Sequence, residues 1–389
     1  DVEIIAVDNG SLDHSADFIA QHYPQVHLVR LESNRGYAGG CNQGYAVAQG
    51  EIVIFLNQDT VVQTDWLSHL VRPFGEPNVG IVGCKSLYFD GKTIQHAGMR
   101  LEWPRLGSAH LGYKESDVGQ YDDSHAVECV TGAALAIRRE LFQRLNGFDE
   151  GFWPGYFEDT DLCLRVHALG YMIWYAGDAV LLHQESASIN NLSTRKALYQ
   201  IGRLRLCLKT LSPQVWLTSF YTAERAALAE MAQAGESAML QVAYFQAAAA
   251  APKLLAEHWQ ADPTTIVQVL ERLQALLREV WLISQQTMPQ APQAALADNV
   301  AARSALLTGE LTDIEFMSPL PVVGPLIAAF RRFWYNIAAR WGIMHLRDQQ
   351  QQINQLQMAQ LQYLNNQVMA QQSQILMLQT HLLTFMNHN

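Results

Sequence analysis

The 389-residue sequence predicts an α/β fold on a doubly wound sheet, followed by a helical region and a C-terminal coiled coil. Three observations carry that expectation. Residues 1–212 alternate short β-branched runs with helix-period segments, as an α/β sheet requires. After Ser212-Pro213 alanine, glutamine and leucine take over. From Gln349 to Asn389 apolar residues keep a 3-4 spacing in a stretch with no Asp, Glu, Lys or Arg. A hydrophobic content of 49% is enough for a sizeable core, and the length suggests two or three structural units.

In chain order, strands are predicted at Ile4–Val7, Val26–Leu31, Ile52–Leu56 and Val79–Cys84. Tyr37–Gln49 and Asp65–Phe74 read as helices that each feed the next strand, which is the rhythm of a doubly wound sheet. Leu162, Val166 and Leu169 share a helical face with Gly170 as its stop, so Phe157-Glu158-Asp159-Thr160-Asp161 reads as a loop delivering three acids to a helix N-terminus. Free N–H groups and the dipole there would hold a carboxylate ionised, fit to act as a general base, with Asp161 as the helix-start residue. The alternation Arg203-Leu204-Arg205-Leu206-Cys207-Leu208-Lys209 suits a helix lying along a protein or membrane surface. Residues 213–318 form the helical region, and residues 319–347 a proline-led segment mixing aromatics with arginines. That segment fits either a helix docked on its predecessors or an interfacial helix at a membrane. Within 348–389, Leu361, Leu364, Val368, Ile375, Leu378, Leu382 and Phe385 form a coiled-coil seam, implying a homo-oligomer or a partner helix. Deleting 349–389 should therefore lower the mass seen by analytical ultracentrifugation; an unchanged mass would remove the seam.

A net charge of -11 argues against a dedicated nucleic-acid binder. Five widely spaced cysteines without a C-x-x-C pair suggest neither a disulfide framework nor a zinc site, so a reducing, cytoplasmic setting is expected. The chain opens at Asp1, without Met, directly in an apolar run, as though inside a domain.

Two acids, Asp8 and Asp59, emerge at predicted strand C-termini, the edge at which open α/β sheets bind ligands. Between them, Asn34-Arg35-Gly36-Tyr37-Ala38-Gly39-Gly40-Cys41-Asn42 has the small residues that let backbone approach a nucleotide. It fits neither a Walker A loop nor G-x-G-x-x-G. His96, His110, His125 and His167 show no ligand spacing.

Seven segments occur in the order and approximate spacing of family 2 glycosyltransferases: Val7 to Ser11, Asn34 to Gly40, Leu56 to Thr60, Gly132-Ala133, Gly147 to Glu150, Phe157 to Leu162, and His183. The first 210 or so residues resemble that family, in its rhamnosyltransferase-like branch. The resemblance implies a GT-A fold, with a Rossmann-like, doubly wound mixed sheet, and inverting transfer of a sugar from a nucleotide donor, dTDP- or UDP-linked, to a glycan or lipid-linked acceptor in cell-surface polysaccharide assembly. It implies Asp159 as catalytic base with Glu158 beside it. Asp8, Asn9, Ser11, Asn34, Arg35, Gly36, Gly39, Asn42 and Asn57 would bind the nucleotide, and Trp153, Gly155 and Tyr156 the acceptor. Asp59 and His183 would hold Mg²⁺ or Mn²⁺ on the diphosphate. Asn57 stands where a full D-x-D has its first acid, and the family's opening strand and helix are missing before Asp1, so an N-terminally truncated domain is expected. The rhamnosyltransferase-like look leans towards dTDP-rhamnose. The resemblance also implies work at the inner face of the cell membrane. Two other readings compete: a catalytically silent scaffold subunit, and a nucleotidyltransferase, which would need a basic glycine-rich loop that is absent here.

Overall fold

The computed structural model describes residues 1–184, 192–233, 237–259 and 263–287. The proline-led segment and the coiled-coil seam lie outside the described residues. Residues Asp1–Thr287 form one compact unit.

The predicted strands form where the β-branched runs lie: β1 (Ile5–Asp8), β2 (His27–Arg30), β3 (Ile52–Leu56) and β5 (Val79–Leu87), with the short β4 (Thr60–Val62) between the last two. Helices α1 (Ser15–His22), α2 (Gly36–Val47) and α3 (Trp66–Val71) fill the gaps. The main sheet is mixed. β10 (Ala134–Arg138), followed by the short helix α4 (Arg139–Arg144), runs antiparallel between β3 and β5, while β11 (Met172–His183) runs parallel to β5 and antiparallel to β4. β6 (Ile94–His96) pairs with β5 and β9 (His125–Val127) with β11, completing seven strands; β7 (Met99–Glu102) and β8 (Gly107–His110) form a separate hairpin. The pair β1–β2 is parallel but makes its own two-stranded sheet, so Asp8 and Asp59 do not share one hydrogen-bonded edge, as the sequence suggested.

Strand alternation divides the core. Leu135 and Ile137 of β10 face one hydrophobic cluster, Ala134 and Ala136 the other. All nine residues of β5 are buried because the strand is central and hydrophobic clusters cover both faces of the sheet there. The larger cluster does not stop at residue 212. It runs from Val53 and Phe55 through α5 (Glu158–Ala168) and α6 (Leu192–Thr210) to Trp216, Phe220, Leu228 and Val280. The composition change after Ser212 thus marks a new layer on the same core: a single turn α7 (Pro213–Val215), then α8 (Tyr221–Gln233), α9 (Ser237–His258) and α10 (Pro263–Thr287). α6 packs along α9, and α10 closes on α8 and α9.

That packing corrects the surface reading of α6. Arg203 is 2% exposed and pairs with Glu224 of α8, which is fully buried and also accepts from Arg105 Nε (2.7 Å) and from the Tyr244 hydroxyl. Burial by itself would raise the Glu224 carboxyl, but the Arg203 and Arg105 guanidiniums outweigh it and bring it down to about 2. Further along, Arg205 and Lys209 bind Asp149 (both 2.8 and 2.6 Å to Oδ2), and Lys209 also reaches Asp161 Oδ1 at 2.5 Å. Arg203, Arg205 and Lys209 of this helix are interior clasps.

Candidate active site

The segment Thr131-Gly132-Ala133, just ahead of β10, is where the sequence-predicted elements meet. The Gly132 N–H donates to Asp159 Oδ2 (2.7 Å), and the Gly132 carbonyl accepts from the Tyr37 hydroxyl (2.5 Å). The Ala133 carbonyl accepts from the Asn57 N–H (2.9 Å), and the Thr131 N–H donates to His96 Nε2 (3.4 Å). A Cβ at Gly132 would lie 3.1 Å from the Tyr37 oxygen and 3.4 Å from Asp159 Cβ, so a side chain here would push Tyr37 aside by a few tenths of an ångström.

On one side lies the loop leading into α2. Asn9 holds it: its amide donates to the Gly36 carbonyl (2.9 Å) and Asn34 Oδ1 (3.2 Å) and accepts from the Arg35 N–H (2.9 Å). Asn34 Oδ1 also accepts from the Gly36 N–H, while Asp8 caps the Ser11 N–H at 2.9 Å. Gly39 packs against the Arg35 side chain, next to Glu150. Asn42 is engaged elsewhere, exchanging hydrogen bonds with Phe148 and reaching Glu150, so it braces the Gly147–Glu150 turn. Gly36 has φ +73°, and a Cβ there would sit 2.8 Å from Trp153 Cδ1. The Tyr37 N–H donates to the Pro154 carbonyl (3.0 Å). The nucleotide-type loop and the Trp153-Gly155-Tyr156 loop are therefore in contact, with Trp153 54% exposed.

Tyr156 and Phe157 both carry positive φ (81° and 74°), a costly conformation for large side chains that turns the chain sharply into α5. Gly202 of α6 backs this turn, where a Cβ would meet the Tyr156 carbonyl at 2.5 Å. Asp159 accepts from the Gly132 N–H, the Thr160 N–H (2.6 Å) and the Thr160 hydroxyl (3.2 Å). Glu158 is 6% exposed, and its Oε2 is buried without a hydrogen-bond partner. Burial, then the charges of Asp159 and Asp161, push its carboxyl up to about 8. The expectation of an ionised acid at the helix start thus fails for Glu158, because desolvation and two neighbouring acids outweigh the dipole. A second correction concerns Asp161. It is no cap: the helix begins at Glu158, and Asp161 is a buried strut bonded to Arg165 (2.8 Å) and Lys209.

The state of Glu158 has a consequence for stability. A carboxyl near 4.5 when unfolded and about 8 when folded binds its proton more tightly in the native state, so the contribution present below pH 4.5 is lost as pH rises through 8. Urea midpoints of wild type should fall relative to Glu158→Gln across that window; parallel curves would contradict it.

The second acid meets its partner at the end of β11. His183 pairs with Thr60 in the β11–β4 ladder, and its Nε2 lies 3.3 Å from Asp59 Oδ1. Asp59 Oδ1 is buried and has no hydrogen-bond donor among the described residues. His183 Nδ1 contacts Gln95 Oε1 at 2.7 Å. Two donor atoms of the right chemistry, one of them an orphaned carboxylate oxygen, fit a divalent cation that draws its other ligands from substrate phosphates and water. Among the described residues no group of three or more His, Cys, Asp or Glu could hold one unaided. Sequence spacing gave no sign of Gln95 or His96. His96 is buried, Nδ1 3.0 Å from His110 Nδ1, and its imidazole is pushed well below its usual range by burial first and by His110 and His183 next.

Residues 1–145 match the family described as glycosyl transferase family 2, and residues 119–178 match one described as the N-terminal domain of galactosyltransferase. A Sinorhizobium fredii protein, the uncharacterized y4gI, is 36% identical over 195 residues, which are 48% of this chain and 21% of that protein. The O-antigen biosynthesis protein RfbC of Myxococcus xanthus is 32% identical over 194 residues, 48% of this chain and 15% of RfbC. An N-acetylglucosaminyl-diphospho-decaprenol L-rhamnosyltransferase of Mycobacterium tuberculosis is 27% identical over 214 residues, 48% of this chain and 68% of that enzyme. The chain thus spans only a minor part of the first two relatives. The motif order, the contacts at Gly132 and these matches agree in likening the N-terminal part of the chain, residues 1–145, to glycosyl transferase family 2.

Proposed function

We propose that residues 1–287 form an inverting glycosyltransferase on a GT-A scaffold, moving a sugar from a nucleoside-diphosphate donor to a hydroxyl of a glycan or lipid-linked acceptor. The observation that carries this is the Thr131-Gly132-Ala133 segment, which touches the nucleotide-type loop through Tyr37, the acid Asp159, and the Asn57–Asp59 strand end. Cell-surface polysaccharide as the product is supported by the names of the relatives, which concern O-antigen and a lipid-linked rhamnosyl acceptor.

In this proposal Asp8, Asn9, Ser11, Asn34, Arg35, Gly36, Gly39 and Asn57 shape the nucleotide pocket, with Asn42 bracing it from behind. Trp153, Gly155 and Tyr156 line the acceptor side. Asp159 takes the proton of the attacking hydroxyl, whose oxygen bonds the anomeric carbon as the bond to the diphosphate breaks and the diphosphate leaves with the electron pair. Glu158, holding its proton, keeps a second negative charge away from Asp159. Asp59 and His183 would hold Mg²⁺ or Mn²⁺, which would offset the charge on the leaving diphosphate. Contact with the inner face of a membrane through 319–347 and self-association through 348–389 complete the proposal. Among the described residues no helix is long and apolar enough to cross a membrane.

A panel of dTDP- and UDP-sugars, scored by nucleotide release with the full chain and a polyprenyl-diphosphate-sugar acceptor, tests this. Release from one donor, lost in Asp59→Ala together with Mn²⁺ uptake, is expected. No binding and no release across the panel would reject it.

A further inference from the structure

We propose that Gln95 is a positioning residue: it fixes the His183 ring so that Nε2 presents its lone pair to the space beside Asp59. This rests on the proposed cation role of Asp59 and His183. Gln95 lies on β6, 6% exposed, with Oε1 2.7 Å from His183 Nδ1. With its carbonyl oxygen towards the ring, Gln95 can only accept there, so the contact favours the tautomer that has its proton on Nδ1 and leaves Nε2 bare. That bare nitrogen is 3.3 Å from Asp59 Oδ1, a buried oxygen with no donor among the described residues.

Two lone pairs facing each other in a buried place repel unless a positive group lies against both. Two ligand atoms at right angles on an ion with bonds of about 2.1 Å stand about 3.0 Å apart, close to the separation seen here. The opposite tautomer would donate to Asp59 and close the site to an ion, and Gln95 Oε1 opposes it. Histidine ligands commonly give their other N–H to such an acceptor, which fixes tautomer and ring direction together.

β6 serves both sides of the site. Its next residue, His96, accepts the Thr131 N–H and so supports the segment that holds Asp159, and β6 meets β5 with a register shift at Ser86/Leu87. Neighbours on one strand normally face opposite ways, and here each has its own partner in the site.

The test uses the full chain, with Mn²⁺ titrated in the presence of UDP or dTDP and free Mn²⁺ followed by electron paramagnetic resonance. Gln95→Leu should bind about 10–100-fold more weakly than wild type, and Gln95→Glu, which keeps an acceptor oxygen, should stay near wild type. Equal affinity in wild type and Gln95→Leu overturns the proposal. Nitrogen-15 NMR of His183 in the metal-free wild type needs no variant: an Nδ1–H tautomer supports Gln95, an Nε2–H tautomer overturns it. An Nδ1–H tautomer in a wild type that takes up no Mn²⁺ supports the Gln95 contact and rejects the cation reading, so the two failures are separable.

Discussion

On the proposed mechanism, replacing Asp159 with Asn should lower sugar transfer by about 10²–10⁴-fold, the range over which a positioned base accelerates proton transfer, and leave donor binding near wild type. The amide cannot take the acceptor proton. It can still accept from the Gly132 N–H, so the segment that carries the other contacts keeps its place. The contrast with its neighbour is the sharper test. Glu158 is pushed up to about 8 by burial and by Asp159 and Asp161, so near neutral pH it is mostly a neutral acid that glutamine imitates. Glu158→Gln should keep turnover within a few-fold of wild type at pH 7. Single-turnover rates with isothermal titration of the donor read both variants. A Glu158→Gln as slow as Asp159→Asn would move the base to Glu158.

Removing the Glu224 carboxylate destabilises the 1–287 unit by about 3–5 kcal/mol, the cost of leaving buried charge unpaired. Arg203, 2% exposed, loses its principal partner, and Arg105 and Tyr244 lose theirs. Glu224→Ala should shift the urea midpoint accordingly. The double change Arg203→Met with Glu224→Leu should recover much of the loss, because apolar side chains of similar volume remove both charges together. The wild type carries a pH signature too. The Glu224 carboxyl is depressed from 4.5 to about 2 on folding, so its contribution is present above pH 4.5 and lost as pH falls towards 2. Glu224→Gln should flatten the acid limb of the stability curve; an unchanged limb would place that dependence elsewhere.

Much of the sheet was legible because β1, β2, β3 and β5 are β-branched runs at regular spacing, and each forms where the pattern puts it. Strand direction was not, since alternation records which face a residue takes and not which way its neighbour runs. Hence β10 enters antiparallel between β3 and β5, and β1–β2 stands apart. Within the site, Asp59 and His183 are distant in sequence and adjacent in space, as the motif order implied. Asp161 was misjudged because its partner Lys209 lies 48 residues further on. Arg203 looked like a surface residue because its acid, Glu224, lies in a segment of quite different composition. Gln95 left no trace: an amide has no charge to notice, and its role depends on where β11 ends.

The clasp between α6 and the acidic turn bears on how such a domain can be inherited or recombined. The family matches end by residue 178, yet Asp161, 2% exposed within them, is bonded to Lys209 well past that point. The span that the family descriptions cover and the span that folds together therefore end at different places on this chain. A chimera spliced at residue 178 would carry an acid into its interior without the lysine that balances it, whereas one spliced beyond Thr287 would carry both.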